Sequence, residues 1–201
     1  INSLFVKGGS YSYKVETAEP DLDTLITSNG GRRAPIGEGV LDICRAADVV
    51  FLALHGSIGE NGQLQATLDC HGIKKYTGTG YIGALLSMDK DISKRLMVEA
   101  GVKTPRWTYV DTTNPNAKEI AATVGLPCVI KPASCGSSVG VSIINDVDEI
   151  EAAIKAGAKY ERYLLEEEMM QGREFTIGVI DGNALPHGEI SPKCGFYHYK
   201  N

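Results

Sequence analysis

Apolar and polar positions in the first half of the chain predict a helix, a strand and a second helix. Residues 39–46 have helical spacing, and Asp48–Leu54 is a continuous apolar run of strand length, typical of a buried parallel strand. A second helix over 64–70 is predicted to end at Gly72. Together they predict a βα unit whose polar loop, His55–Gly62, lies where open α/β sheets bind ligands.

The second half of the chain reads as short strands that alternate with helices, with antiparallel hairpins. Apolar residues from Leu85 to Leu96 recur at helical spacing and predict one helix that ends at Gly101. Asp146 and Glu149 have the spacing of a capping box for a further helix. Further elements are predicted as strands over 107–110, 127–132, 141–144, 163–168 and 174–180 and a helix over 116–124. The turn Asp181-Gly182 predicts a hairpin between the last of these strands and residues 184–185. The overall fold class is α/β, with α+β character in this half.

Residues 133–140 form a loop of small residues between two of these strands. Small residues let the backbone close over an anion, and consecutive N–H groups form an anion-binding nest. Lys131 enters the loop, Lys90 starts a helix, and the loop itself carries Ser134, Ser137 and Ser138. Two lysines with a Gly/Ser lid are what a triphosphate needs where no Walker loop exists. An ordinary hairpin turn with solvated lysines is the alternative.

An acidic run follows in the strand over 163–168. Because successive strand side chains point to opposite faces, Glu166 and Glu168 are predicted to share one face and Glu167 the other. The apolar pair Met169–Met170 could sandwich an adenine ring, and Glu174 could accept hydrogen bonds from ribose hydroxyls. A solvated acidic edge is the alternative interpretation.

Two glycine-rich stretches match known signatures without their structural context. Gly78–Gly83 fits the dinucleotide pattern G-x-G-x-x-G, but the preceding stretch is short and polar, so a turn into a helix is favoured. Gly136–Gly140 fits G-x-S-x-G, but a β-branched strand follows it instead of the helix that a hydrolase elbow requires.

Composition narrows the class of protein. The 201 residues carry a net charge of -5, with 43% hydrophobic and 22% charged residues, as in a globular protein. The sequence lacks the cluster of basic residues that binding to duplex DNA needs, and it has no run of about 18 apolar residues that could span a membrane. The odd number of cysteines, none in CxxC spacing, indicates reduced thiols in a cytosolic protein rather than a disulfide framework. They are Cys44, Cys70, Cys128, Cys135 and Cys194.

Five segments then follow one another in a fixed order. They are His55–Gln65, Ser87–Lys90, Ile130–Pro132, Gly136–Val141 and Gly195–Asn201. These segments resemble the motifs of D-alanine–D-alanine ligases, members of the ATP-grasp superfamily, and the resemblance spans about residues 45–201. It implies an incomplete Rossmann-like βα domain on the substrate side over 1–86. A nucleotide-binding ATP-grasp subdomain over 87–172 and the start of a C-terminal catalytic subdomain over 173–201 would follow.

The resemblance also implies a reaction for peptidoglycan precursor synthesis in the cytoplasm. ATP phosphorylates the carboxylate of one D-alanine, and the amine of a second D-alanine displaces phosphate from the acyl phosphate. Magnesium or manganese is the implied metal. The implied partners are these small molecules, with no nucleic acid and no membrane, and a homodimer is one option for assembly.

On the nucleotide side, the resemblance assigns Lys90 and Lys131 to the phosphates and Ser138 to the lid loop. It makes Glu167 the adenine-contacting acid, Glu168–Met170 the adenine hinge and Glu174 the ribose-binding acid.

On the substrate side, the resemblance assigns catalytic roles to His55 and Ser137. His55 would lie beside the first D-alanine, Glu60 would be the acid of the same loop, and Ser137 would hold the substrate-side hydrogen-bond network.

The sequence departs from the family pattern in the lid and near its end. Cys135 stands where many members have Glu, and His198 stands where Asp is usual. Both ends read as cut. The resemblance implies that the metal ligands lie beyond Asn201, so the 201-residue chain is expected to make no dipeptide. A D-Ala-D-Ser or D-Ala-D-Lac ligase and a non-catalytic nucleotide-binding module are the alternatives.

Overall fold

The computed structural model describes residue 17 and residues 20–191. The described residues fall into two compact units, one formed up to Ala53 and by Ala66–Gly78, the other by Leu54–Gln65 and from Thr79 onward. Within the described ranges, no helix is both long and apolar enough to cross a membrane.

The first unit contains two short helices, α1 (Leu22–Ser28) and α2 (Val40–Ala46). The predicted helix over 39–46 is confirmed. Residues 1–35 are rich in Gly, Ser, Thr and Asn and predict a short strand or hairpin followed by loop, and α1 falls in the part predicted as loop. Its start is fixed by Asp21, whose side chain accepts a hydrogen bond from the backbone N–H of Asp23. The strand or hairpin predicted before that loop lies outside the described residues.

Among the described residues, the stretch Asp48–Leu54 does not form the strand predicted for it. In this part of the chain a single parallel bridge joins Val50 to Tyr76, and the Phe51 side chain is 77% exposed. A strand needs a neighbouring ladder of hydrogen bonds over several residues, and residues 20–191 do not supply one here.

Four helices precede the main sheet: α3 (Ser57–Glu60), α4 (Gln63–Cys70), α5 (Tyr81–Met88) and α6 (Lys90–Glu99). The helix predicted from Leu85 to Leu96 is thus two helices. Asp89 separates them, because its backbone is extended and its side chain caps α6 by accepting from the Ile92 N–H. Gly78–Gly80 leads into α5 as a turn, as predicted.

The main sheet has four antiparallel strands: β1 (Trp107–Asp111), β2 (Cys128–Pro132), β3 (Ser142–Ile144) and β4 (Tyr163–Glu168). Their order is β1-β4-β2-β3. Helix α7 (Ala117–Val124) and helix α8 (Ile150–Gly157) contact this sheet, and a 3-10 turn over Val147–Glu149 carries the predicted capping box of Asp146 and Glu149.

One face of the sheet forms the hydrophobic core with α7 and α8. Its buried residues are Val110, Ile120, Val124, Cys128, Ile130, Ile144, Ile150, Ala153, Ile154 and Leu164. In the strand register, Glu166 lies opposite Thr108 on β1 and Ile130 on β2, so this carboxyl group points toward the core.

Glu166 is fully buried, and neither of its carboxyl oxygens has a hydrogen-bond partner among the described residues. Burial raises the pKa of Glu166 to about 7, and the neighbouring Cys128 thiol opposes the rise only in part. The predicted alternation of faces is confirmed, since Glu167 points to the opposite face; the prediction of adenine contacts for this run did not foresee a core carboxyl.

Two small antiparallel ribbons follow the sheet. Strand β5 (Glu174–Thr176) pairs with β8 (Gly188–Ile190), and β6 (Val179–Ile180) pairs with β7 (Asn183–Ala184). The hairpin predicted from Asp181-Gly182 is confirmed between β6 and β7, whereas the predicted single strand over 174–180 is divided between the two ribbons.

Candidate functional site

The candidate site is built around the loop between β2 and β3, residues 133–141, which we call the lid loop. Ser137 and Ser138 both have left-handed backbones, with φ of 52° and 59°, so the loop turns sharply at its serine pair. Gly140 also has a positive φ, and a β carbon there would lie 2.8 Å from Pro132 Cγ and 2.9 Å from Tyr160 Cδ2. Glycine is therefore required where the loop returns to the sheet.

Lys90 holds the base of the lid loop. Its Nζ donates hydrogen bonds to the carbonyl oxygens of Pro132, Ala133 and Cys135 at 3.1, 3.2 and 2.6 Å. Burial lowers the pKa of Lys90, and the nearby positive charge of Lys131 lowers it further. The two lysines predicted to bind phosphate are therefore close enough to affect each other electrostatically.

Lys131 lies on the sheet face opposite the hydrophobic core, where it is paired with Glu167. Lys131 Nζ lies 2.7 Å from Glu167 Oε1, and Lys94 Nζ lies 2.7 Å from Glu167 Oε2. Burial opposes ionisation of Glu167, but the hydrogen bonds from the two lysines outweigh it and hold the pKa of Glu167 below its ordinary value. Glu167 is therefore an ionised carboxylate that joins two cations.

A cavity of about 660 Å³ lies beside the lid loop and brings together the predicted substrate-side residues His55, Glu60 and Ser137. Cys135 and Glu161 also line it. Three residues that the sequence predicted from separate motifs thus share one cavity, which is large enough for small-molecule substrates.

The loop that carries His55 and Glu60 is fixed locally. Glu60 Oε2 accepts a hydrogen bond from the backbone N–H of Gly56 at 2.7 Å, across the short helix α3. Gly62 ends this loop with a φ of 86°, and a β carbon there would clash with the carbonyl oxygen of Tyr81. Gly56 itself lines the cavity, and Gly62 lets the end of the loop pack against α5.

Glu161 is a cavity residue that the sequence did not single out. Its Oε2 accepts a hydrogen bond from the Ser134 N–H at 2.9 Å, which ties the lid loop to the segment before β4. Burial and the negative charge of Glu161 raise the pKa of the Cys135 thiol, against the effect of Lys90. The thiol is therefore held in its protonated form, in which it is a poor nucleophile.

Replacing Cys135 with serine is accordingly expected to leave most of the turnover of the full-length protein in place, because the thiol supplies no charge or nucleophile. Initial-rate measurements with and without a thiol-blocking reagent would check this. The reagent should slow the wild-type protein by obstructing the lid loop and leave the Cys135→Ser variant unaffected. A folded but inactive Cys135→Ser protein would contradict this reading of the loop.

The predicted adenine hinge follows β4. Glu168 Oε2 lies 3.4 Å from Arg106 Nε, and the backbone N–H groups of Glu168 and Met169 donate to the carbonyl oxygens of Arg106 and Pro127. Among the described residues, the backbone N–H of Met170 donates no hydrogen bond to a backbone carbonyl oxygen, and the Met170 side chain is 66% exposed.

Glu174, the predicted ribose ligand, lies on β5 and is exposed, on a ribbon separate from the main sheet. The motif Gly195–Asn201, with His198, and the thiol of Cys194 lie outside the described residues. Within residues 20–191, no three His, Cys, Asp or Glu side chains converge to hold a metal ion.

Comparison with known proteins agrees with this architecture. The model of the family "D-ala D-ala ligase C-terminus" matches residues 96–201, just over half of the chain. The chain is 38% identical over 195 residues to a D-alanine–D-alanine ligase from Pediococcus pentosaceus, covering 96% of this chain and 54% of that protein. It is 40% identical over 158 residues to one from Methylacidiphilum infernorum, covering 79% and 50%.

Solved structures give the same result. The crystal structure of a D-alanine–D-alanine ligase from Bacillus anthracis superposes with a TM-score of 0.73 at 33% identity, covering 83% of this chain and 55% of that one. The structure of that enzyme complexed with ATP gives 0.70 at 30% identity, covering 79% and 53%.

The fold resembles that of the ATP-grasp class of proteins. Within that class, the chain belongs to the D-alanine–D-alanine ligase family. It spans about half the length of the curated relatives it matches.

Proposed function

We propose that the protein is an ATP-dependent ligase that joins two D-alanine molecules in the cytoplasm for peptidoglycan precursor synthesis. The observation that carries this proposal is the position of Cys135 between two parts of the site. Its carbonyl oxygen accepts from Lys90 Nζ at 2.6 Å, and the residue itself lines the cavity with His55 and Ser137. This position supports the proposal, because the groups proposed to bind phosphate and substrate would meet at the lid loop.

In the first step, a carboxylate oxygen of one D-alanine attacks the γ-phosphorus of ATP. The bond to the bridging oxygen breaks, and ADP leaves with its electron pair. Negative charge accumulates on three groups at once, so fixed cations stabilise this step. Lys90 and Lys131 supply that charge in the proposal, while the backbone N–H groups at Ser137 and Ser138 close over the phosphates.

In the second step, the neutral amine of another D-alanine attacks the acyl carbon. The bond from carbon to the phosphate oxygen breaks, and the proton that the nitrogen gives up as the amide forms ends on the departing inorganic phosphate. The acyl phosphate is sensitive to water, so the lid loop has a second role in excluding solvent. His55, Glu60 and Ser137 orient the two D-alanines in the cavity.

The nucleotide base is assigned to the hinge after β4. In the proposal, the Met170 amide and the apolar side chains of Met169 and Met170 contact the adenine ring, and the Glu174 carboxylate accepts hydrogen bonds from the ribose hydroxyls. Glu167 and Glu168 complete the nucleotide-binding residues. Magnesium or manganese belongs to the proposal as a counter-charge for the phosphates, and no step above is assigned to it.

The domain division is also a proposal. Residues 1–86 would form a Rossmann-like substrate-side domain, supported by the parallel bridge between Val50 and Tyr76, which α3 and α4 separate in the chain. Residues 87–172 would bind the nucleotide, and 173–201 would start the catalytic subdomain.

The test is ADP formation by the full-length protein with ATP and each of D-alanine, D-serine and D-lactate as second substrate, together with calorimetric ATP titration. We expect the highest rate and dipeptide product with D-alanine. Faster turnover with D-serine or D-lactate would replace the substrate assignment. ATP binding without ADP formation for any of the three would indicate a nucleotide-binding module instead of a ligase.

A further inference from the structure

Lys94 is a buried cation whose hydrogen-bonding capacity is filled by the protein. Its Nζ lies 2.7 Å from Glu167 Oε2 and donates to Thr104 Oγ1 at 2.7 Å and to the Pro105 carbonyl oxygen at 3.0 Å. The side chain is 8% exposed, and Nζ lies 5.0 Å from the centroid of the Trp107 ring. Since an ammonium group has three donors, Lys94 has none left for a ligand.

The position of Lys94 follows from helix geometry. Lys90 and Lys94 are four residues apart on α6, so both side chains project from the same face of the helix. Trp107 lies opposite Glu167 in the strand register, and its indole N–H donates to Asp91 Oδ1 at 2.8 Å. The packing of α6 against β1 and β4 therefore fixes Lys94 between the indole ring and the carboxylate.

The balance of charge around Glu167 has a direct consequence for Lys131. One carboxylate lies between two ammonium groups, each 2.7 Å from a different oxygen, so the three side chains together carry one net positive charge. With Lys94 removed, Glu167 and Lys131 alone would neutralise each other. Lys131 would then offer an approaching phosphate an ion pair instead of an excess cation.

We propose that Lys94 is a positioning residue for nucleotide binding, which fixes and neutralises Glu167 so that the charge of Lys131 remains available to the phosphates of ATP. This rests on the proposed function, because it deepens the role of the same lysine-flanked site. Lys94 acts through Glu167 and does not touch the nucleotide.

The experiment is a double-mutant cycle on ATP affinity, measured by calorimetry with the full-length protein. The variants are Lys94→Met, Glu167→Gln and the double variant, and Lys155→Met is the control because Lys155 is an exposed lysine paired with Glu151. We expect Lys94→Met to weaken ATP binding by about tenfold, since it cancels one charge-assisted contact. We expect the double variant to recover to within about threefold of Glu167→Gln.

The recovery is what distinguishes a charge-balance role from a merely structural one, because neutralising Glu167 removes the reason for Lys94. Equal ATP affinity of Lys94→Met and the wild-type protein would overturn the proposal. A double variant that binds ATP about tenfold more weakly than Glu167→Gln would also overturn it. Because both of these proteins carry Glu167→Gln, they can be compared even where Lys94→Met alone fails to fold. Failure of the wild-type protein to bind ATP would instead overturn the proposed function.

Discussion

Replacing Glu166 with leucine is expected to stabilise the chain, by an amount that grows as the pH rises from about 4.5 to 8. The cause is the burial of this carboxyl group in the hydrophobic core, with neither oxygen hydrogen-bonded among the described residues. Burial raises the pKa of Glu166 to about 7 from an ordinary value of 4.5. The folded chain therefore holds a proton that the unfolded chain releases.

The sign of the effect follows from proton linkage. Below about pH 4.5 both states are protonated, and Glu166 brings no ionisation penalty. Between about pH 4.5 and 7 the unfolded state loses its proton first, so the wild-type free energy of unfolding falls by about 3 kcal/mol from this group alone. Above that range the loss is complete.

Denaturant titrations of wild type, Glu166→Leu and Glu166→Gln over this pH range would measure the effect. Both variants lack the ionisable group, so the free energy of unfolding of neither should show the fall that Glu166 causes in the wild-type protein between about pH 4.5 and 7. Only Glu166→Leu should also gain stability from the burial of an apolar side chain. Curves for wild type and Glu166→Gln that stay parallel from about pH 4.5 to 8 would contradict the expected ionisation behaviour.

Replacing Lys131 with alanine is expected to weaken ATP binding by at least about tenfold and to reduce turnover. A charge-assisted hydrogen bond contributes about 1.5–3 kcal/mol, which corresponds to roughly ten- to hundredfold in affinity. The substitution removes the cation proposed to meet the phosphates and leaves Glu167 with only Lys94 as a partner. Both effects lower the positive charge of the site.

Calorimetric titration with ATP would measure this loss, with Lys155→Ala as a matched control at an exposed lysine. The control should bind ATP like the wild-type protein, because exposed ion pairs contribute little. Unchanged ATP affinity in Lys131→Ala would show that the phosphates bind elsewhere.

Sequence patterns predicted those features that depend on local chemistry. The capping box of Asp146 and Glu149 and the hairpin at Asp181-Gly182 depend on residues close together in the chain, and both are present. Convergence of His55, Glu60 and Ser137 on one cavity was anticipated through the family resemblance.

Sequence patterns did not predict the features that depend on tertiary packing. Lysine side chains are usually solvated, so the sequence did not predict burial of Lys94. The packing of α6 against β1 and β4 makes it a buried partner of Glu167. Alternation along β4 predicted that Glu166 and Glu167 point in opposite directions, but not that the face of Glu166 is the core. The break at Asp89 was hidden because apolar spacing continues across it, while the cap depends on one side-chain hydrogen bond.

The engagement of Lys90 and Lys131 within the protein bears on which anions the site would accept. Lys90 already donates to three carbonyl oxygens, and Lys131 is already paired with Glu167. A single small anion would have to displace these acceptors while meeting only one lysine, so it would gain little. A chain of linked phosphates, as in the proposed nucleotide, would meet both lysines at once and replace both sets of contacts. Internal competition would thus make the site selective for polyphosphates over inorganic phosphate or chloride.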